Sequence, residues 1–260
     1  MTTLALYSNK GGVGKTAAAV NLSYFSAQTG AKTLICDLDP QGSATFYYRV
    51  KPKLKVGTKG FFKGGKKLLK SIKGTDYINL DLLPADFTHR HLDAAFNKLK
   101  RPTERLSNIL KPLENEYDVI ILDCPVTISL LAENIFNAVD YTFVPLVPTT
   151  LSVLAHKQLL NFCKKYKFNA SRIYTFFSMV DRRKKMHREL MEMVTKQFNG
   201  ALGILIPLLS QIERMGIERK PVAEFSPGSP ASKAYENLWS KIRETILNLQ
   251  NQAKISKFKL

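Results

Sequence analysis

The stretch "SNKGGVGKTA", Ser8–Ala17, decides the fold. It follows the short apolar run "MTTLALYS", Met1–Ser8, and leads into Lys15–Gln28, where Ala, Val and Leu recur at helical spacing. A strand, a glycine-rich turn and a helix in that order form a phosphate-binding loop. Gly11, Gly12 and Gly14, with Val13 between them, free the backbone to wrap an anion and turn its N–H groups inward at a helix N-terminus. Lys15 then reaches the β- and γ-phosphates, and Thr16 stands where such loops ligate Mg²⁺. Two positions depart from the general Gly-x-x-x-x-Gly-Lys-Thr pattern: Asn9 replaces the first glycine, and Lys10 adds a second lysine that phosphate binding alone does not require.

Working outward, further apolar runs read as strands: "KTLICDLDP" (Lys32–Pro40), "INLDLLPA" (Ile78–Ala85), "YDVIILDCP" (Tyr117–Pro125), "YTFVPLVP" (Tyr141–Pro148), "RIYTFFSMVD" (Arg172–Asp181) and "ALGILIP" (Ala201–Pro207). Helical patterns lie between them at Glu104–Leu113, Leu151–Lys165, Lys185–Gln197 and Ala231–Leu247. This alternation predicts an α/β fold, a three-layer doubly wound, mostly parallel sheet with helices on both faces. Ligands in that architecture bind at the carboxyl ends of the strands.

The 260 residues, 45% of them hydrophobic, read as one domain over 1–260. No signal-peptide pattern opens the chain and no apolar run approaches about 20 residues, so a cytoplasmic protein is expected. Cys36, Cys124 and Cys163 lack CxxC spacing and read as reduced core thiols. Lys and Arg number 39 against 21 Asp and Glu, a net +18. So large an excess draws polyanions, nucleic acid or an anionic membrane surface, or serves solubility alone. One segment stands apart: Lys51–Thr75 carries nine lysines and no acid around Phe61 and Phe62, and reads as a basic surface excursion or a solvated loop with a short helix near Lys66–Ile72.

A phosphate loop needs a carboxylate to hold its metal, and Asp123, closing the apolar run of "YDVIILDCP", is the candidate. Asp118, at the entrance of that run, reads as a turn residue. Asp37 and Asp39 in "CDLDPQG" are separated by one residue, which on extended chain points both toward the γ-phosphate region. The same Asp-Pro-Gln-Gly is also a turn sequence.

With "KGGVGKT", "CDLDPQGSAT", "YDVIILDCP" and "SMVDRR…ILIP" in place, the chain resembles the ParA/MinD group of deviant-Walker P-loop ATPases from Leu4 to about Leu247. The DLDPQG form is similar to the ParA partition branch. The resemblance implies an Mg²⁺-dependent ATPase that forms a homodimer around ATP. Lys10 would cross to the partner's phosphates, Asp39 would orient the attacking water, and Asp37 and Asp123 would serve the Mg²⁺ shell with Thr16. Adenine would sit near Met179, Asp181 and Pro207. Three features depart from the family pattern: Ala17 where Thr or Ser is usual, Val126 in place of a second proline, and the less polar "IPLLSQIERM".

The resemblance further implies nonspecific DNA binding, nucleoid association and a cargo-linked adaptor that stimulates hydrolysis. Arg182, Arg183, Lys184, Lys185 and Arg188, with Arg219 and Lys220, are the expected DNA contacts. The cargo would be a plasmid, a chromosome or a protein body such as a carboxysome. No helix-turn-helix domain is expected ahead of the first strand. The alternative, a MinD-like membrane-surface switch, needs an amphipathic C-terminal helix, and "NLQNQAKISKFKL" offers only Ile255, Phe258 and Leu260. A cluster-assembly ATPase would need a cysteine pair that is missing.

Overall fold

A computed structural model describes residues 1–52 and 68–257. The strands are β1 (Thr2–Leu6), β2 (Thr33–Asp37), β3 (Lys73–Gly74), β4 (Leu80–Leu83), β5 (Val119–Asp123), β6 (Tyr141–Leu146), β7 (Ile173–Val180) and β8 (Ala201–Pro207). The helices are α1 (Lys15–Gln28), α2 (Ser43–Tyr47), α3 (Leu92–Asn97), α4 (Arg105–Leu110), α5 (Leu130–Ala138), α6 (Thr150–Lys165), α7 (Lys185–Gln197), α8 (Ser210–Glu218), α9 (Val222–Phe225) and α10 (Pro230–Lys257). Among the described residues they form one sheet in the order β3-β4-β2-β5-β1-β6-β7-β8. Every pairing is parallel except the two-residue contact of β3 with β4.

Side-chain alternation sorts the strands onto two cores. Leu4, Leu6, Ile35 and Ile121 face one way, against α1, α8, α9 and α10. Ala5, Leu34, Cys36, Ile120 and Leu122 face the other, against α3, α4, α5 and the lower part of α6. Both faces are therefore covered, which is why these strands read as continuous apolar runs. Each fully buried aliphatic side chain contributes about 1.5–3 kcal/mol. A smaller cluster of Leu146, Val153, Phe177, Val180 and Val194 seats α7 and the upper part of α6.

The topology fixes where a ligand can bind. β1 lies between β5 and β6, so the connection from β1 to β2 passes over β5, whereas that from β5 to β6 passes over β1. The strand order thus reverses at β1, and the loop after it opens at the switch point of the sheet. α1, which follows that loop, is enclosed nearly all round, with Ala18, Ala19, Val20, Asn21, Leu22 and Ser23 buried. Asn21 ties it to its cover: its amide donates to the Ala17 carbonyl and its Oδ1 accepts the Val222 N–H, both at 2.8 Å.

Several boundaries differ from the sequence reading. The helix expected over 104–113 is α4 flanked by 3₁₀ turns at Pro102–Glu104 and Lys111–Leu113, since Pro112 has no N–H to continue it. α10 runs on to Lys257 rather than ending at 247. Residues 53–67 of the lysine-rich segment lie outside the described residues, as do Phe258 and Leu260; of the short helix expected near Lys66–Ile72, Leu68 and Leu69 are helical and a turn follows at Lys70 and Ser71. The three cysteines are buried and free, as expected. Among the described residues no helix is long and apolar enough to cross a membrane.

Candidate functional site

The loop after β1 is shaped by two left-handed glycines, Gly12 at φ +67° and Gly14 at φ +87°. At Gly14 a Cβ would stand 2.9 Å from the Ser178 hydroxyl, so both conformation and space require glycine there. Gly14 is also the N-cap of α1 and supplies no side-chain acceptor. The first-turn N–H groups therefore keep their capacity for an anion, reinforced by the helix dipole.

Lys15 is buried in this loop, and its ammonium lies 3.5 Å from the Lys10 carbonyl. Burial lowers its pKa, while Asp123, Cys124 and Asp39 pull it back up. Asp123 closes β5 beside Asp37 at the end of β2, the two being partners in the parallel register. Both are fully buried. Asp37 has a full set of donors: Oδ2 accepts the Thr45 N–H at 2.8 Å and the Thr45 hydroxyl at 2.7 Å, and Oδ1 accepts the Asp39 N–H at 3.3 Å. Burial still pushes its pKa up to about 6, against the Thr45 hydrogen bonds that lower it. Asp123 has no such support. Neither of its oxygens has a hydrogen-bond partner, and the nearby Thr16 hydroxyl tempers the shift without closing a bond of ordinary geometry. Burial, then the neighbouring Asp37, lifts its carboxyl well above the usual range.

Asp39 forms the expected turn: its Oδ1 accepts the Gln41 N–H at 3.0 Å and its carbonyl accepts the Gly42 N–H at 2.9 Å. It also stays close enough to Asp37, Asp123 and Lys15 to act on each electrostatically. Lys10 points elsewhere. Its ammonium donates to the Ser152 hydroxyl in the first turn of α6 at 2.8 Å and reaches the hydroxyl of Thr149, the N-cap of that helix, at 3.5 Å. Leu151 and Leu154, on the same helix as Ser152, are exposed, as are Val126 and Ile128 in the loop after β5, and Val126 Cγ2 is 3.9 Å from where a Gly11 Cβ would be.

Gly14, Ala17, Met179 and Pro207 line one small, mainly apolar cavity of about 50 Å³ together with Ile206 and Tyr235. Met179 holds φ +52° there, an uncommon conformation for an unbranched apolar residue. Asp181 does not line this cavity: its carboxylate accepts both arms of the Arg183 guanidinium at 2.9 and 3.0 Å, which holds its pKa down to about 2. A cavity of about 450 Å³ opens at the other, amino-terminal end of β7 and β8, between His156, Tyr174 and Phe198. Larger cavities thus lie away from the loop, but the uncapped helix at Gly14 and the buried carboxylates ending β2 and β5 mark the loop after β1 as the candidate site.

Of the expected DNA contacts, Arg182, Arg183, Lys184, Lys185 and Arg188 are all exposed around the start of α7, with the Arg188 guanidinium donating to the Arg182 and Arg183 carbonyls at 2.7 and 3.2 Å. Arg219 and Lys220 are only partly exposed, and Arg219 stacks 4.4 Å over the Phe46 ring while donating to the Phe46 carbonyl. Sequence reasoning missed Thr45, Ser152 and Ser178. Of the residues around the loop it passed over, only Thr149, a threonine just before a helical pattern, gave a recognisable capping signal.

The family model described as an AAA domain matches residues 1–174. The chain is 28% identical over 255 residues to a virulence-plasmid ParA family protein of Chlamydia psittaci, covering 95% of this chain and 96% of that one. It is 28% identical over 249 residues to the chromosome-partitioning ATPase Soj of Treponema pallidum, covering 92% and 96%. Among solved structures, a putative plasmid partition protein of Borrelia burgdorferi bound to AMPPNP superposes with a TM-score of 0.77 at 23% identity, over 94% of this chain and 99% of that one.

Proposed function

The chain belongs to the ParA-like AAA-domain family, and from that premise we propose that it is an ATP-hydrolysing dimer switch. It binds DNA without sequence preference and positions or segregates a cargo. The observation that carries this reading is Lys10, a second cation in a loop that already has Lys15, held at the start of α6 where the apolar Leu151 and Leu154 are exposed, with exposed Val126 beside Gly11. A second copy of the chain seated there would cover these apolar side chains and receive Lys10 at its own phosphates, as an arginine finger is supplied in trans elsewhere. ATP and dimer would then be linked, each strengthening the other.

The residues fit Mg²⁺. Among the described residues no three His, Cys, Asp or Glu form a metal cluster, and Mg²⁺ on a nucleotide commonly takes one carboxylate, a hydroxyl, phosphates and water. Asp123, a buried carboxylate without partners, and Thr16 beside it are that pair, with Asp37 behind them. When bound, the ion neutralises charge on the phosphates. Asp39 orients the attacking water, its turn holding the carboxylate at the mouth of the site. Lys15 and the first-turn amides of α1 hold the phosphates, and Met179 and Pro207 take the base.

Arg182, Arg183, Lys184, Lys185 and Arg188 bind DNA phosphates in this reading, with Arg219 and Lys220 assisting. Nucleoid association follows from that binding, and a cargo-linked adaptor stimulates hydrolysis. The cargo is a plasmid, a chromosome or a protein body. The test pairs nonspecific duplex DNA with anionic vesicles, each with Mg²⁺ and ATP. Salt-sensitive retention on DNA that requires ATP is expected; retention on vesicles alone would replace this reading with a membrane-surface switch.

A further inference from the structure

Lys10 is already engaged within its own chain. Its ammonium donates to Ser152 at 2.8 Å and lies 3.5 Å from Thr149, whose hydroxyls are themselves 3.1 Å apart. Thr149 is the N-cap of α6 and accepts the Ser152 N–H at 3.4 Å, while Ser152 is buried. The geometry points to Ser152, with Thr149, as a positioning residue that latches Lys10 in cis and so competes with its delivery to a second copy of the chain. The inference rests on the dimer-switch reading above.

Two physical features make this a latch rather than a permanent fixture. The N-terminus of a 16-residue helix carries partial positive charge, so a cation held there is opposed by the helix dipole and kept by the two hydroxyls alone. A phosphate would outcompete them, being anionic as well as an acceptor. The second feature is a connection to the ligand. Lys15 donates to the Lys10 carbonyl, so drawing Lys15 onto a phosphate removes a contact that steadies the loop at Lys10. Filling the loop and loosening the latch are therefore successive effects on one short segment.

Ser152→Ala is a small change at a buried site and leaves the Thr149 cap in place. Lysine acylation of the nucleotide-free chain, read residue by residue by mass spectrometry, should rise at Lys10 by about three- to tenfold, the net scale of one ordinary hydrogen bond, since Thr149 stays in place. Ser152→Thr, which keeps the hydroxyl, should label like wild type. With Mg²⁺ and a slowly hydrolysed ATP analogue, sedimentation should give a dimer about tenfold tighter for Ser152→Ala, because each of two protomers is relieved of its latch. Unchanged Lys10 labelling overturns the latch, and so does raised labelling with an unchanged or weaker dimer. If wild type and variant both stay monomeric with nucleotide bound, the dimer-switch reading falls, and the labelling arm still decides whether Ser152 holds Lys10.

Discussion

The ends of β2 and β5 carry the same residue at the same level, Asp37 and Asp123, side by side in the parallel register and both fully buried. They differ in what surrounds them. Asp37 accepts three hydrogen bonds and fixes the chain that leads to Asp39 and α2, whereas Asp123 accepts none. A buried carboxylate without donors costs stability, so a fold retains one where something else supplies the counter-charge. On the proposed reading, the sheet keeps one carboxylate as an internal brace and the other for the cation of the bound nucleotide.

The widest separation between the two should come from Asp123→Ala, which on this account lowers Mg²⁺-dependent turnover by about 1,000-fold, or about 4 kcal/mol, while the nucleotide-free fold is kept; steady-state kinetics and thermal melting read the two halves. Asp37→Asn should do the reverse to the fold. Replacing an acceptor of three bonds by a group that must also donate costs about 3 kcal/mol, and calorimetry should show a melting point roughly 6–12 °C lower. Thr45→Val removes the hydroxyl that Asp37 accepts and that itself accepts the Ala85 N–H at 2.9 Å. It should cost about 2 kcal/mol in chemical denaturation. A melting point for Thr45→Val equal to wild type would mean that Asp37 is not the brace.

The subtler tests have the opposite sign. Asp123→Asn should stabilise the nucleotide-free chain by about 1–2 kcal/mol, since burial and the neighbouring Asp37 oppose its charge more than Lys15 and the Thr16 hydroxyl favour it. The pH dependence follows from the same pair. A carboxyl whose pKa is raised in the fold, as Asp37 is to about 6, contributes stability below its unfolded pKa that is lost as pH rises through the folded value. Between about pH 5 and 6.5 this amounts to about 1 kcal/mol. His156, which burial lowers to about 4, imposes the opposite slope in that window. The informative quantity is therefore the difference between wild type and Asp39→Asn, in which the Asp37 slope should shrink once the Asp39 carboxylate that helps to raise it is gone.

Much of this was legible in the chain. Seven strands announced themselves as apolar runs, the central ones because they are covered on both faces, and the phosphate loop by its glycines, of which Gly12 and Gly14 take positive φ and Gly14 also approaches Ser178 closely. β3 escaped because two residues, Lys73 and Gly74, are too few for a period to show. α8 and α9 were not read because their packing depends on Met215 and Val222 meeting Asn21 from nearly 200 residues away. The distinct fates of Asp37 and Asp123 were equally hidden, for the donors come from Thr45, an ordinary threonine eight residues on. Asp181 shows the converse: a carboxylate beside an expected base site was captured by Arg183, two residues away.

The dimer switch itself is tested most directly by light scattering of wild type and Lys10→Ala with Mg²⁺ and a slowly hydrolysed ATP analogue. The account predicts a wild-type dimer and a Lys10→Ala monomer that still holds nucleotide through Lys15. A Lys10→Ala dimer as tight as wild type would contradict it.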